Sequence, residues 1–428
     1  MNKDIHETRD TRSPESIAGS DAEAAPLFLG PGEASAGDAD HPPRPFRLLV
    51  GICCLIAFTC YFGSYMRLPV VPLYASSLGI DTTRIGFINS VFFFMAGFLS
   101  LPLGAVSDRM GAKPMAAAGL LILAVTSFLL YFSTHFFHFL LLYVMFGVGI
   151  AAFGPTMMSA VANFAPSTHL GRVYGWYTTA LFCAMSLGPA AGGYAAREFG
   201  FQPVFLISGA IILGGFALTV GLFPGTRSRK IGGNGQSLSG FLALFKNRSL
   251  MGCWAATLGG CFGLGMFITF LPLYAGEQGL PVSQIGLLFF YQGMFNALSR
   301  FPFGILSDRM SDRRILVVAG FIGIIASNVG FGMSARAIHF MMWAILLGIS
   351  MGLAFTSVGA LVAEAVSPGQ RGLAMGGYNA AIFFGLMMSS ASMGAVIQKA
   401  DFSTGFFTAA VIVLIFSGVF YLMTANRT

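Results

Sequence analysis

From residue 44 onward, apolar stretches of about 20 residues alternate with short polar or charged turns. A helix of that length rises about 30 Å, which is the thickness of the hydrocarbon core of a bilayer. The pattern therefore predicts twelve membrane-spanning helices, which we call spans 1 to 12 in chain order. Their predicted bounds are 46–75, 84–106, 114–133, 138–162, 172–195, 202–223, 250–275, 284–306, 314–334, 338–363, 372–396 and 403–424.

One charged turn occurs twice in the chain, at an interval of 200 residues. Residues 103–110 read Leu-Gly-Ala-Val-Ser-Asp-Arg-Met, and residues 303–310 read Phe-Gly-Ile-Leu-Ser-Asp-Arg-Met. The tripeptide Pro-Leu-Tyr at residues 72–74 returns at 272–274 with the same interval. Tandem halves in so apolar a chain predict an all-α membrane protein. We expect two six-helix bundles related by a pseudo-twofold axis, with a substrate site between them.

The chain divides into four predicted segments. Residues 1–43 are rich in Asp, Glu, Ser, Gly and Pro, so we predict a disordered cytoplasmic tail. Residues 44–223 form the predicted N-terminal bundle and residues 249–428 the predicted C-terminal bundle. Residues 224–248 combine glycines with basic residues, which predicts a flexible cytoplasmic linker that lets the bundles move against each other.

Composition agrees with a membrane location. Hydrophobic residues make up 55% of the chain and charged residues only 10%, whereas soluble domains carry about a quarter charged residues. The net charge of +7 would suit a nucleic-acid partner only if the basic residues shared one soluble face. They lie instead in turns between apolar runs, so we expect no nucleic-acid partner.

Lys and Arg are distributed unevenly between the two sides of the predicted spans. One side holds Arg44, Arg47, Arg109, Lys113, Arg172, Arg227, Arg229, Lys230, Lys246, Arg248, Arg309, Arg313, Arg314, Arg371 and Arg427, and the other holds Arg84, Arg197, Arg336 and Lys399. Positively charged loops stay in the cytoplasm. This bias predicts a multi-pass protein of the inner (cytoplasmic) membrane with both termini in the cytoplasm.

The repeated turn resembles the G-x-x-x-D-R-x-G-x-K/R motif of the major facilitator superfamily. The matching residues are Gly104, Asp108, Arg109, Gly111 and Lys113 in the first copy and Gly304, Asp308 and Arg309 in the second, where Ser311 replaces the second glycine. The resemblance covers residues 44–428 and implies the fold of that superfamily. It says little about the substrate, since the whole superfamily shares the motif.

In that family the first turn contacts span 11, which begins here at Arg371. A carboxylate at a helix N-terminus contributes about 0.3–1 kcal/mol. The resemblance thus implies a latch that Asp108 and, by symmetry, Asp308 form in the outward-facing state and break in the inward-facing state. The alternative is a charged turn that only sets topology.

Span 5 carries a second family pattern. Gly175, Gly188, Pro189, Gly192 and Gly193 are similar to the antiporter motif of the family, with Ala184 in place of the middle glycine. This resemblance implies proton-coupled export, whereas the alternative is tight glycine packing without directional meaning. Tyr143 stands where drug exporters of the family carry an arginine in span 4, which weakens the case for proton transfer by that route.

Ionisable groups inside a membrane are functional candidates because burying them is costly. Arg67 lies deep in span 1, where it could bind an anion or extend to the outer headgroups. Arg300 in span 8 could pair with Glu364 or with backbone carbonyls, and Glu364 could instead bond to Arg371. No Asp or Glu lies in the middle of a predicted span.

Polar and aromatic residues complete the predicted substrate site. The candidates are Tyr61, Tyr65, Arg67, Asn89, Tyr177, Gln292, Asn296, Arg300, Tyr378 and Asn379. For any one of them, hydrogen bonding between helices is the alternative explanation.

Taken together, the sequence predicts a monomeric secondary transporter that exports a small amphiphilic or anionic compound by alternating access, coupled to protons. One alternative is an importer or facilitator of an organic acid or siderophore-like anion. Another is a membrane sensor that does not transport. The sequence contains no nucleophile–base set, no G-x-x-x-x-G-K-[ST] loop and no spaced metal ligands, so we expect no enzyme activity, no cofactor and no metal.

Overall fold

The computed structural model describes residues 46–164, 169–225, 244–367 and 370–425. The predicted tail and residues 226–243 of the predicted linker lie outside the described residues.

Thirteen long or medium helices follow one another in these ranges. They are α1 (Phe46–Met66), α2 (Val70–Ser77), α3 (Thr82–Met110), α4 (Ala112–Leu130), α5 (Phe136–Phe164), α6 (Leu170–Phe199), α7 (Phe201–Leu222), α8 (Arg248–Glu277), α9 (Val282–Arg309), α10 (Arg314–Gly332), α11 (Ala337–Glu364), α12 (Arg371–Lys399) and α13 (Phe402–Thr424). Helices α1 and α2 together form span 1, and α3 to α13 form spans 2 to 12. The predicted all-α fold class is confirmed.

Span 1 was predicted as one unbroken helix, which is wrong. Pro69 has no N–H group, so it cannot bond to the Tyr65 carbonyl one turn earlier. The N–H of Leu68 donates to that carbonyl instead, at 3.0 Å, and α1 ends at Met66. The break places Arg67 between two helices.

Ten of the twelve spans in the described ranges are long and apolar enough to cross a membrane by length and composition. The two others, α6 and α9, have 30 and 28 residues but a less apolar sequence. They pack against each other at the boundary between the bundles. Their polar residues, such as Gln292 and Asn296, face a cavity rather than lipid.

The two bundles pack in the same way. In the first bundle α3 packs on α5, α4 on α5 and α7, and α1 on α6 and α7. In the second bundle the corresponding pairs are α9 on α11, α10 on α11 and α13, and α8 on α12 and α13. Among the described helices, only two pairs make large contacts across the two bundles, α3 with α12 and α6 with α9.

A buried tyrosine has similar surroundings in each bundle. The hydroxyl of Tyr74 donates to the Ser133 carbonyl, and that of Tyr274 donates to the Ser334 carbonyl, each at 3.1 Å. Three phenylalanine rings surround each tyrosine: Phe139, Phe201 and Phe205 around Tyr74, and Phe340, Phe402 and Phe406 around Tyr274. The sequence repeat is therefore also a repeat of packing.

We call the end of the helices with Asp108 and Asp308 the basic end, and the end with Asp81 and Asp401 the opposite end. Toward the opposite end α6 and α9 touch closely. A Cβ placed on Gly193 would lie 3.1 Å from the Cα of Gly286. Further along, a Cβ on Gly293 would lie 3.3 Å from the Cβ of Ser186.

The same face of α6 is free toward the basic end. Gly175 and Gly171 lie 11 and 15 residues before Ser186, so they share its helical face. A Cβ on either glycine would meet no described atom within 4 Å. The two helices therefore separate toward the basic end.

The pair α3 and α12 behaves in the same way. Near the opposite end Gly86 packs on the backbone of Ser390, and near the middle Gly97 packs on the Phe383 side chain. Gly376 lies two helical turns before Phe383 on the same face, and a Cβ there would meet no described atom within 4 Å. In the described part of the chain, the bundles thus seal the opposite end and open at the basic end.

Candidate functional site

A cavity of about 370 Å³ lies between the two bundles, next to the sealed end. Residues of α1, α3, α5 and α6 line it from the first bundle, and residues of α8, α9, α11 and α12 from the second. Its volume lies in the range of small-molecule sites, which are mostly apolar with a few polar groups. The apolar part of the wall includes Phe92, Phe93, Phe146, Phe182, Phe289, Phe355 and Phe383.

Arg67 is the most deeply buried charge on this wall, with 1% of its surface exposed. Its Nη1 donates to the Ser127 hydroxyl at 3.0 Å, and its guanidinium carbon lies 3.6 Å from the centre of the Phe146 ring. Among the described residues, none accepts a hydrogen bond from Nε or Nη2. The alternative that Arg67 extends to the headgroups is wrong. Two unused donors on a buried guanidinium are suited to an anion.

Arg300 is the second charged residue on the cavity wall. Its Nε donates to Asn296 Oδ1 at 3.2 Å, and its guanidinium carbon lies 4.6 Å from the centre of the Phe182 ring. The predicted alternative of a pair with Glu364 is wrong, because Glu364 bonds to Arg313. The described lining contains no Asp, Glu, Lys or His. The cavity is therefore positively charged.

Of the uncharged candidates, Tyr61, Tyr65, Asn89, Gln292 and Asn296 line the cavity. The structure does not bring the other three to this wall. Tyr177 is buried, and Asn379 is exposed on α12. Tyr378 packs against Phe355 at a ring distance of 6.4 Å.

Sequence reasoning missed three partners of the arginines. Ser127 and Phe146 hold the Arg67 side chain, and Phe182 holds that of Arg300. No sequence signal separates these three from dozens of similar residues. Tyr143, singled out because it replaces an expected arginine, does line the cavity.

The second charged turn is held within its own bundle. Arg313 donates to Asp308 at 3.0 Å and to Glu364, and its Nε donates to the Ser307 carbonyl at 2.9 Å. Arg313 thus joins the end of α9 to the end of α11. In the same turn, Arg314 donates to Asp312 from its side chain at 2.8 Å, and this bond lowers the pKa of the Asp312 carboxyl.

The first charged turn fits its predicted role only in part. Gly111 has φ +94°, a conformation that favours glycine, and so ends α3 sharply. The resemblance implies that this turn contacts span 11, which is α12, but a Cβ on Gly104 would meet only Pro155 of α5 among the described atoms, at 3.9 Å. Arg371 Nε donates to the Ala363 carbonyl at 3.3 Å. Arg109 and Lys113 lie on α3 and α4 on either side of this turn.

The glycine pattern of α6 makes three close contacts. A Cβ on Gly188 would lie 2.8 Å from the Phe62 carbonyl, and one on Gly192 would overlap the Met66 carbonyl. Gly193 and Pro189 both contact Gly286 in the other bundle. Gly175 makes no such contact with the described residues. Most of the pattern therefore serves packing, while its role in coupling stays a prediction.

A family model described as Major Facilitator Superfamily matches residues 53–327 and 275–428. The chain belongs to the major facilitator superfamily. It is therefore a multi-pass membrane transporter of small molecules and not an enzyme.

Relatives differ in what their names say. An uncharacterised MFS-type transporter of Methanocaldococcus jannaschii is 23% identical over 350 residues, covering 81% of this chain and 90% of that protein. The multidrug resistance protein MdtG of Citrobacter koseri is 28% identical over 269 residues, covering 60% of this chain and 66% of MdtG. The solved nucleoside transporter NupG matches with a TM-score of 0.70 and 18% identity, covering 89% of this chain and all of NupG. That likeness shows the fold alone.

Proposed function

We propose that this chain exports a small amphiphilic anion across the cytoplasmic membrane by alternating access. The observation that carries the proposal is Arg67, a buried guanidinium with two unused donors on a wall without carboxylates in the described residues. A permanently charged group of this kind favours an anionic ligand. The aromatic wall suits an apolar body attached to the anion.

Orientation follows from the distribution of basic residues. Positively charged loops stay in the cytoplasm, so we take the basic end as cytoplasmic, with both termini on that side. The described conformation is then inward-facing, and its cavity is open to compounds from the cytoplasm. In that state the proposed latch of Asp108 and Asp308 should be broken.

Two observations support export. The α6 glycine pattern resembles the antiporter motif, and MdtG, a named multidrug resistance protein, shares 28% identity over 269 residues. The second candidate function is an importer or facilitator of an organic acid or siderophore-like anion. The absence of carboxylates from the described cavity wall favours it, because no Asp or Glu there could carry a proton. Proton coupling stays a prediction.

Inverted membrane vesicles with an imposed pH gradient test both candidates. We expect accumulation of radiolabelled biphenyl-4-sulfonate, a permanently charged amphiphilic anion, and loss of accumulation in Arg67→Gln. Arg84→Gln is the matched control, since Arg84 is exposed and pairs with Asp81 at the opposite end. Accumulation that survives collapse of the gradient would exclude proton coupling. Flux only in right-side-out vesicles would favour import, and binding without flux would indicate a sensor.

A further inference from the structure

The two arginines of the cavity lie at different depths along the bundle. Gly188 and Gly192 of α6 pack on the backbone next to Arg67, at Tyr65 and Met66. The Arg300 guanidinium lies over Phe182, six to ten residues nearer the start of α6. Because a helix rises 1.5 Å per residue, the backbone next to Arg67 and the guanidinium of Arg300 meet α6 at levels about 9–15 Å apart.

A single acidic group cannot serve both arginines at that separation. Hydrogen bonds between a guanidinium and an anionic oxygen are about 2.7–2.9 Å long. Arg67 has two unused donors, and Arg300 donates only from Nε within the described residues. Each guanidinium therefore retains capacity for an anionic partner of its own.

The wall between the two levels is mostly apolar and includes a few uncharged polar groups. Phe92 and Phe289 line it, and Gln292 lies between the levels of Gly286 and Arg300 on α9. No carboxylate of the described lining neutralises either arginine. A ligand that matches this arrangement has charge at both ends and an apolar middle.

We propose that the cavity recognises compounds with two acidic groups at opposite ends of an apolar or aromatic body. Arg67 binds one acidic group near the sealed end, and Arg300 binds the other nearer the basic end. The proposal rests on the proposed function in taking this cavity as the substrate site. It adds a substrate class, since the cavity discriminates diacids from monoacids of the same shape.

Equilibrium binding to the full-length purified protein in nanodiscs tests the proposal. The probes are biphenyl-4,4′-disulfonate and biphenyl-4-sulfonate, which share a rigid body and differ by one acidic group. We expect the disulfonate to bind at least about tenfold more tightly, since a hydrogen bond to a charged group contributes about that factor. Empty nanodiscs correct for partition into lipid.

Each arginine should be necessary for this preference. In Arg67→Gln and in Arg300→Gln, the affinity for the disulfonate should fall about tenfold or more, close to that for the monosulfonate. Arg84→Gln, which changes an exposed arginine outside the cavity lining, should bind both probes like the wild type. If Arg67→Gln does not fold, the Arg300→Gln variant alone still tests whether the second acidic group has a partner.

Three results would overturn the proposal. They are equal affinities of the two probes for the wild type, an unchanged disulfonate preference in Arg300→Gln, and no binding of either probe. Vesicle flux separates this failure from that of the proposed function. Export of the monosulfonate without a preference for binding the disulfonate would support the proposed function and overturn the proposal of a diacid substrate. Preferential binding of the disulfonate without flux would support the diacid site and overturn the proposed export.

Discussion

The guanidinium of Arg300 in the second bundle lies 4.6 Å from the centre of the Phe182 ring in the first bundle. This contact crosses the boundary between α6 and α9. Toward the opposite end the two helices touch through Gly193 and Gly286, and toward the basic end Gly175 has no described neighbour. Arg300 therefore lies where the bundles begin to separate, and a ligand on Arg300 would contact the moving boundary itself.

Filling the open face of α12 should block the transport cycle. In Gly376→Trp the indole would occupy the space into which α3 must move when the basic end closes. We expect binding of biphenyl-4-sulfonate to remain within about threefold of wild type, while its flux in vesicles is lost. Gly214→Trp is the control, because Gly214 is exposed on α7 and a Cβ there meets no described atom within 4 Å. Normal flux in Gly376→Trp would mean that α3 and α12 do not come together at Gly376 during transport.

Adding one methyl group at Gly192 should destabilise the first bundle. A Cβ there overlaps the Met66 carbonyl, so α6 must move away from α1. Overpacking of this kind typically costs about 1–3 kcal/mol, so Gly192→Ala should lower the thermal unfolding midpoint in detergent. Gly214→Ala has room and should not lower it. Equal unfolding midpoints for the two variants would show that α6 can move away from α1 without loss of stability.

Both paired tyrosines should contribute to stability. Tyr74→Phe and Tyr274→Phe each remove the bond from the hydroxyl to a buried carbonyl, with an expected loss of about 0.5–1.5 kcal/mol. Tyr74→Phe also removes the bond that Gln202 Nε2 donates to the hydroxyl at 3.0 Å, so its loss should be the larger of the two. Because the two lie in different bundles, the losses should add in the double variant. Thermal unfolding measures this, with the exposed Tyr194→Phe as control. Strong non-additivity would mean that the two sites are energetically coupled.

Acid should remove the contribution of Asp312. Its hydrogen bond from Arg314 lowers the carboxyl pKa, so the folded state favours the charged form. This contribution is present above the ordinary value of about 4 and is lost as pH falls through the lowered pKa. The unfolding midpoint of wild type should therefore exceed that of Asp312→Asn at pH 7, and the gap should close below about pH 4. If the difference between the two midpoints does not change with pH, the stabilisation by Asp312 does not depend on the charge of its carboxyl.

Hydropathy and the internal repeat were enough to predict the fold, because a bilayer tolerates few arrangements of apolar helices. Helical faces were harder to predict. In a membrane the lipid-facing and core-facing sides of a helix are both apolar, so nothing in the sequence separates Tyr65, which lines the cavity, from Tyr177, which does not. A charged residue within a predicted span predicted the cavity wall better than an uncharged polar one did, since Arg67 and Arg300 both lie on that wall.

Interactions between distant segments could not be predicted. The bond from Arg313 to Glu364 joins residues 51 positions apart, and nothing in the sequence favoured it over a pair with Arg300 or Arg371. The break in span 1 did have a signal. Pro69 interrupts an otherwise helical pattern, and its missing N–H accounts for the end of α1.

That break has no counterpart in the second half. At the interval of 200 residues, Phe267 stands opposite Arg67 and Thr269 opposite Pro69, and α8 continues through both positions. The two halves therefore share their helix packing but differ in the residues at these positions. A hybrid with two copies of the second half would have phenylalanine at both positions and would lack the buried guanidinium of Arg67. If the proposed function is right, selectivity arises from a position at which the two halves differ.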